Sequence, residues 1–148
     1  MIYALLYGLP KGQLQKLQRV QNAAARLVTN TRKYAHITPV LKSLHWLPVE
    51  QHLKYTILLI NFRALKFSSP EYINALIEIY KPSRSGLRSS GEFSLAIPKS
   101  KRTWGDRAFA SAAPHLWNSL PKSIHLSESV DIFKSKLKTH LMEGIFLE

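Results

Sequence analysis

The chain has 148 residues, 45% hydrophobic and 10% aromatic, a composition that favours one folded domain over a disordered chain. Its 21 lysines and arginines oppose nine acidic residues, and the resulting net charge of +12 favours a polyanionic partner. There is no cysteine, which excludes disulfides, thiolate zinc sites and cysteine nucleophiles. The apolar start lacks the basic region and cleavage site of a signal peptide, and no apolar run could span a bilayer. We expect an intracellular protein, in the nucleus or the cytoplasm, with no membrane partner.

The first part of the chain, residues 1–80, is predicted to be helical. Apolar residues recur at helical spacing from about Lys11 to Thr31, and basic residues fall largely on the other sides of this helix. A short helix is expected next, with Thr38 as its N-cap and Pro39 at its first position, where a missing N–H costs nothing.

A third, mostly apolar helix is predicted to be the centre of the core. The break at Trp46-Leu47-Pro48 precedes it, and its apolar residues run from about Val49 to Phe67. Ser69-Pro70 then introduces a fourth helix, expected from Glu71 to about Tyr80.

Residues 81–103 form a basic segment rich in serine, proline and glycine, which predicts an irregular loop. Within it Phe93, Leu95 and Ile97 alternate with polar or small residues, so one short strand or extended segment is expected there.

Helices return in residues 104–148. Asp106 is a suitable N-cap for a helix through Trp117, which Pro114 is expected to kink or interrupt. Ser129 caps a last helix. Its buried face is predicted to consist of Val130, Phe133, Leu137 and Leu141.

Catalysis is not expected from this chain. A polymerase holds two Mg²⁺ ions with neighbouring carboxylates, whereas the only aspartates here, Asp106 and Asp131, have no acidic neighbour. No phosphate-binding glycine loop of the Walker type is present. The six histidines offer no short-spaced pair, so neither a metal nor a cofactor is predicted.

The basic loop is the first candidate for nucleic-acid binding. Its lysines and arginines can neutralise phosphates, while Tyr80, Phe93 and Trp104 could stack on unpaired bases. The alternative is a solvated loop whose aromatic residues anchor it to the core. The predicted contacts are Arg84, Arg88, Lys99, Lys101, Arg102 and Arg107.

The first helix is the second candidate, through Lys16, Arg19 and Arg26. Its glutamines, among them Gln18 and Gln21, add hydrogen-bonding reach toward bases or phosphates. For this helix the favoured interpretation is structural: an apolar side packed on the core and a polar side in solvent. The tryptophans are likewise expected to be core anchors rather than stacking platforms. They are Trp46, Trp104 and Trp117.

Several motifs, in the family's order, resemble the C-terminal tail of a jockey-like non-LTR (LINE-type) retrotransposon reverse-transcriptase polyprotein. They are Leu14-Gln15-Lys16-Leu17-Gln18-Arg19-Val20-Gln21-Asn22-Ala23-Ala24-Ala25-Arg26-Leu27, His36-Ile37-Thr38-Pro39, Leu44-His45-Trp46-Leu47-Pro48-Val49, Leu87-Arg88-Ser89-Ser90, Gly105-Asp106-Arg107-Ala108-Phe109 with Ala113-Pro114-His115-Leu116-Trp117-Asn118-Ser119-Leu120-Pro121, and Phe133-Lys134-Ser135-Lys136-Leu137-Lys138-Thr139-His140-Leu141. The resemblance covers essentially the whole chain and begins downstream of the endonuclease and polymerase regions. It implies a helical accessory segment that helps to hold template RNA or target DNA. The chain departs from the family at Glu50-Gln51-His52, where a basic residue is usual, and it lacks the zinc knuckle of some related elements.

The sequence therefore predicts a single mainly α domain of about five or six helices, with one basic irregular loop and one short strand. Its predicted function is that of a non-catalytic, retrotransposon-derived fragment that binds RNA or DNA with low specificity through a basic surface. One alternative is a helical protein-interaction module, which packs on the polymerase part of a parent element or self-associates. Another is a decaying remnant without a selected function.

Overall fold

The computed structural model describes residues 6–68, 71–81, 94–98 and 109–146. These residues fold into seven helices without a sheet, which confirms the mainly α prediction. In chain order the helices are α1 (Lys11–Thr29), α2 (Ile37–Ser43), α3 (Val49–Phe67), α4 (Glu71–Asn74), α5 (Phe109–Asn118), α6 (Lys122–His125) and α7 (Val130–Phe146).

Helix α3 is the central element, as its apolar sequence predicts, and it begins and ends at the predicted residues. It packs against α1, α4, α5 and α7. Phe62 of α3 stacks on Phe133 of α7 with ring centroids 4.1 Å apart, and Trp117 of α5 lies 6.1 Å from Phe133. All three rings are buried, and stacked pairs of this kind add about 0.5–1.5 kcal/mol beyond the burial of their area. This aromatic cluster holds α3, α5 and α7 together.

The last helix is also built as predicted. The N–H of Ile132 donates to Ser129 Oγ at 3.2 Å, so the serine satisfies one of the donors that a helix start leaves without a partner. Phe133 and Leu137 are completely buried, and Val130 and Leu141 pack against the same cluster. The predicted buried face is confirmed.

Helix α2 begins earlier than expected. His36 is its N-cap, so the assignment of Thr38 as the cap and Pro39 as the first residue is wrong by two positions. Pro39 becomes the third helical residue, which still lies in the turn whose N–H groups have no intrahelical acceptor, and proline is tolerated there for the same reason.

Two helix predictions near the basic loop need correction. Helix α4 ends at Asn74 and not near Tyr80, because the chain after it pairs with another segment. Helix α5 continues through Pro114, which is buried inside it, so of the two expectations, a kink or an interruption, the interruption is wrong. The proposed cap Asp106 lies outside the described residues, as does Ser69-Pro70 before α4. The single turn α6 was not predicted.

The pairing that ends α4 is a short antiparallel contact between Ile79 and Leu95. The N–H of Tyr80 donates to Ser94 O at 2.9 Å on one side of it. Asn118, in the last turn of α5, secures the segment: its Oδ1 accepts from Leu95 N at 2.8 Å and its Nδ2 donates to Leu95 O at 2.9 Å. The expected extended segment therefore exists around Leu95, whose side chain is buried in the core.

One titratable side chain belongs to this core. The ring of His125 stacks on Trp117 with centroids 4.5 Å apart, and its Nε2 lies 2.9 Å from Trp117 O. Burial lowers the pKa of His125 below its ordinary value of 6.5, and the hydrogen bond to the Trp117 carbonyl opposes this only in part.

We predict that His125 makes stability depend on pH. Because folding favours the neutral ring, its contribution is fully present above the unfolded pKa of 6.5 and is lost as the pH falls through the folded value. The free energies of unfolding of the wild type and of His125→Gln, measured by urea denaturation from neutral to mildly acidic pH, should therefore converge as the pH falls. A difference that stays constant across that range would contradict the prediction.

Candidate nucleic-acid interface

The principal predicted contacts, on the basic loop, lie outside the described residues. They are Arg84, Arg88, Lys99, Lys101, Arg102 and Arg107. The described residues that flank the first of these segments, Lys81 and Ser94, lie near the C-terminal half of α3. There Phe62 and Leu65 form one wall of a small pocket with Ile79 and Ser94.

The three predicted contacts on α1 differ from one another. Lys16 and Arg19 are exposed, and no carboxylate among the described residues pairs with either. Arg26 is half-buried, and its Nη2 donates to Ala35 O at 3.3 Å across the turn that follows α1. We therefore assign Arg26 a structural role, and Lys16 and Arg19 remain the exposed candidate contacts on α1.

Two of the glutamines of α1, Gln18 and Gln21, have a different role from the predicted one. Pro48, the N-cap of α3, provides no side-chain hydrogen bond, and the N–H of Val49 donates instead to Gln18 Oε1 at 2.8 Å. Gln21 Nε2 donates to Leu47 O at 2.8 Å, and Gln18 Nε2 donates to Gln21 Oε1 at 2.9 Å. Gln18 and Gln21 therefore bind α1 to the start of α3, and they are not free to reach a nucleic acid.

This amide network decides which side of α1 faces inward. Ala25 is the only buried residue of α1, while Val20 is 69% exposed, Leu27 83% and Val28 65%. The interpretation of α1 as a core helix with a polar outside is thus wrong at these positions: Gln18 and Gln21 face the protein, whereas Val20, Leu27 and Val28 face solvent. The physical reason is that the backbone groups of Leu47 and Val49 need partners, and only the amide side of α1 supplies them.

A groove of about 510 Å³ lies between α1, the turn after α2, α3 and α7. Its lining is Val20, Gln21, Ala24, His45, Trp46, Leu47, His52, Tyr55 and Lys138. The rings of His52 and Tyr55 are stacked, with centroids 6.4 Å apart. We call this the aromatic groove.

A second groove of about 530 Å³ continues from the first along α7 and shares His45 and Lys138 with it. Its other lining residues are Lys42, Ser135, Thr139, Met142 and Glu143. His45 and Lys138 therefore lie where the two grooves meet.

His45 has a backbone conformation that is rare for a side-chain-bearing residue, with φ at 53°. It follows α2 in a Schellman motif: the N–H of Trp46 donates to Leu41 O at 2.9 Å and that of His45 to Lys42 O at 3.0 Å. Glycine is usual at this position, and a left-handed residue with a Cβ costs roughly 1–2 kcal/mol. The motif turns the chain so that both His45 and Trp46 line the aromatic groove.

The described residues contain no group of three or more side chains arranged to hold a metal ion. None of the helices described combines the length and the apolar character that crossing a bilayer requires. Comparison with protein-family models, curated proteins and solved structures gives no match for this chain. The resemblance to a retrotransposon tail accordingly stays a prediction from sequence motifs.

We predict that Gln18→Ala destabilises the domain by about 1–3 kcal/mol, because it leaves the Val49 N–H without its acceptor and releases Gln21. Urea denaturation would measure the loss. Gln15→Ala is the matched control, since Gln15 is exposed on the same helix and its removal should change stability by less than about 0.5 kcal/mol. Equal effects of the two substitutions would contradict the role given to Gln18.

Proposed function

We propose that this chain is a non-catalytic RNA- or DNA-binding domain that contacts phosphates through a basic surface with low sequence specificity. The observation that carries the proposal is the pair Lys16 and Arg19, two exposed cations three residues apart on α1 that have no ion-pair partner among the described residues. Each cation that neutralises a phosphate releases condensed counterions, which is the main driving force of binding with low specificity.

In the described part of the chain, internal ion pairs neutralise little of the positive charge. Among the described residues the ion pairs are Lys54–Glu50 at 3.0 Å and Lys134–Asp131 at 3.1 Å, each between neighbours on one helix. Exposed pairs of this type contribute about 0.3–0.5 kcal/mol and are easily exchanged for other partners. A chain of net charge +12 thus keeps most of its electrostatic attraction for a polyanion.

Helix α1 and the described residue Ser94 lie at opposite ends of α3. Helix α1 is bound at Val49, where α3 begins, and Ser94 lines a pocket with Phe62 and Leu65. In this proposal a strand that contacts Lys16 and Arg19 and reaches the chain beside Ser94 extends along α3, which is about 28 Å long. In this proposal the domain is the tail of a retrotransposon-derived polyprotein, which holds RNA or DNA beside the polymerase of its parent element.

We predict that Lys16→Gln/Arg19→Gln weakens binding and lowers the salt slope by about two, one per lost phosphate contact. The measurement is fluorescence anisotropy with labelled single-stranded RNA and duplex DNA over a range of salt concentrations. Arg63→Gln/Lys122→Gln is the matched control, because it removes the same charge from exposed residues outside α1. Equal losses in both variants would show that net charge alone drives binding and would contradict a localised surface.

The basic loop can be tested in the same titration. Glutamine at Arg84, Arg88, Lys99, Lys101, Arg102 and Arg107 should reduce both the affinity and the salt slope. An unchanged slope in that variant would remove the loop from the proposed surface and leave α1 as the contact.

A specific observation favours protein docking as a second candidate function. Leu17, Val20, Leu27 and Val28 are 41–83% exposed and follow one another along a single side of α1, an arrangement typical of interaction surfaces. We call these four residues the α1 stripe. Lys16 and Arg19 border it, so the partner that fits is an amphipathic helix whose apolar side is flanked by carboxylates. A second copy of this chain fits poorly, since each copy carries +12.

We predict that the protein is monomeric by light scattering at two concentrations and that it binds a designed leucine-faced helix flanked by glutamates. Val20→Gln/Leu27→Gln should abolish peptide binding without loss of helicity, because both residues are exposed. The same peptide with lysine flanks is the control and should bind more weakly. Concentration-dependent dimers, or equal binding of the two peptides, would contradict an acidic partner.

A further inference from the structure

We propose that the aromatic groove binds one unpaired nucleotide of a single-stranded RNA or DNA, with the base against its rings and the phosphate at Lys138. This proposal rests on the proposed nucleic-acid function. It adds a specific site for a base, which the cationic residues of the basic surface do not provide.

The groove provides a surface on which a base can stack. Trp46 and Tyr55 are half-buried, so their rings are held by the protein and still line the groove, and His52 stacks beside Tyr55. Tyr55 also packs against the main hydrophobic core, which keeps its ring in place. Stacking on aromatic side chains is tolerant of sequence because every base has a π-face. A volume of about 510 Å³ falls within the ~300–1,000 Å³ typical of small-ligand sites.

A cation lies at the position that a phosphate would need. Lys138 of α7 is exposed and lines both grooves, and no carboxylate among the described residues pairs with it. Glu143 also lines the second groove, but it lies five residues beyond Lys138 on α7. Its negative charge is therefore away from the junction of the two grooves, where the attraction for an anion is strongest. A strand could therefore place its base in the aromatic groove and its backbone over Lys138.

The turn at His45 shapes the mouth of the groove. Its left-handed conformation is the one that the Schellman motif at the end of α2 requires. This turn places His45 in the lining of both grooves and Trp46 in the lining of the aromatic groove.

The combination of rings and a cation favours a single strand over other ligands. In a duplex the bases are paired and stacked, and none is free to enter a groove. An acidic peptide could form an ion pair with Lys138, but it would provide no planar group to stack on the rings of the groove.

Photocrosslinking tests the site directly. A short uridine oligonucleotide with iodouridine substitutions is irradiated with the wild-type protein, and the adducts are mapped by mass spectrometry. We expect them on Trp46, His52 or Tyr55. Adducts confined to residues outside the aromatic groove would overturn the proposal.

Affinity provides the second measurement. By anisotropy, Tyr55→Leu should weaken binding of the RNA oligonucleotide and its deoxy counterpart by about five-fold or more, while preserving an apolar side chain. Lys138→Gln should lower affinity and salt slope together, and it keeps the proposal testable if Tyr55→Leu does not fold. Lys66→Gln is the charge-matched control, exposed near the other end of α3.

The outcomes separate this site from the proposed function. If the wild type binds with a steep salt slope but both groove variants retain its affinity, the aromatic groove is not a nucleotide site, and the proposal of a basic binding surface is unaffected. If duplex DNA binds as tightly as the single strands, the groove does not recognise an unpaired base. Absence of salt-dependent binding in the wild type would overturn both proposals.

Discussion

The hydrogen bond between Gln18 and the N–H of Val49 is the constraint on which the surface of this domain depends. A helix that starts after proline without a side-chain cap has donors to satisfy, and here another helix satisfies one of them. The same bond fixes the rotation of α1 about its own axis. Its apolar row consequently faces solvent, Lys16 and Arg19 lie beside that row, and Val20 becomes a wall of the aromatic groove. Both candidate binding surfaces follow from one helix–helix junction.

The core and the surface of the domain are organised by the same pair of helices. Phe133, early in α7, stacks on Phe62, late in α3, whereas Lys138, further along α7, shares a groove with His52 from the first turn of α3. The two helices therefore run antiparallel. Their buried sides make the aromatic cluster, and one end of the same interface opens into the groove. A ligand there would contact the helices that stabilise the fold, so binding should stabilise the folded state as well.

Helix bounds and caps could be predicted from the sequence, because they depend on residues that are adjacent in the chain. The bounds of α3 follow from its apolar run after Pro48, and the cap of α7 follows from Ser129. The orientation of α1 could not be predicted. Helical periodicity identifies an apolar side but does not show whether another element covers it, and the contact of Gln18 with Val49 spans 31 residues of sequence. Helix α4 ends early for a similar reason, since the Ile79–Leu95 pairing is distant in sequence. The aromatic groove is likewise assembled from four separate segments.

Asn118 has a consequence for how this chain can change in length. Its bidentate contact holds Leu95 in the core, and the Tyr80–Ser94 hydrogen bond brings the chain back to the point from which it departed. These hydrogen bonds, and not the length of the connection, set the register of Leu95 against α5. For a flexible connection between two such fixed points, doubling its length costs only about 0.6 kcal/mol in closure entropy.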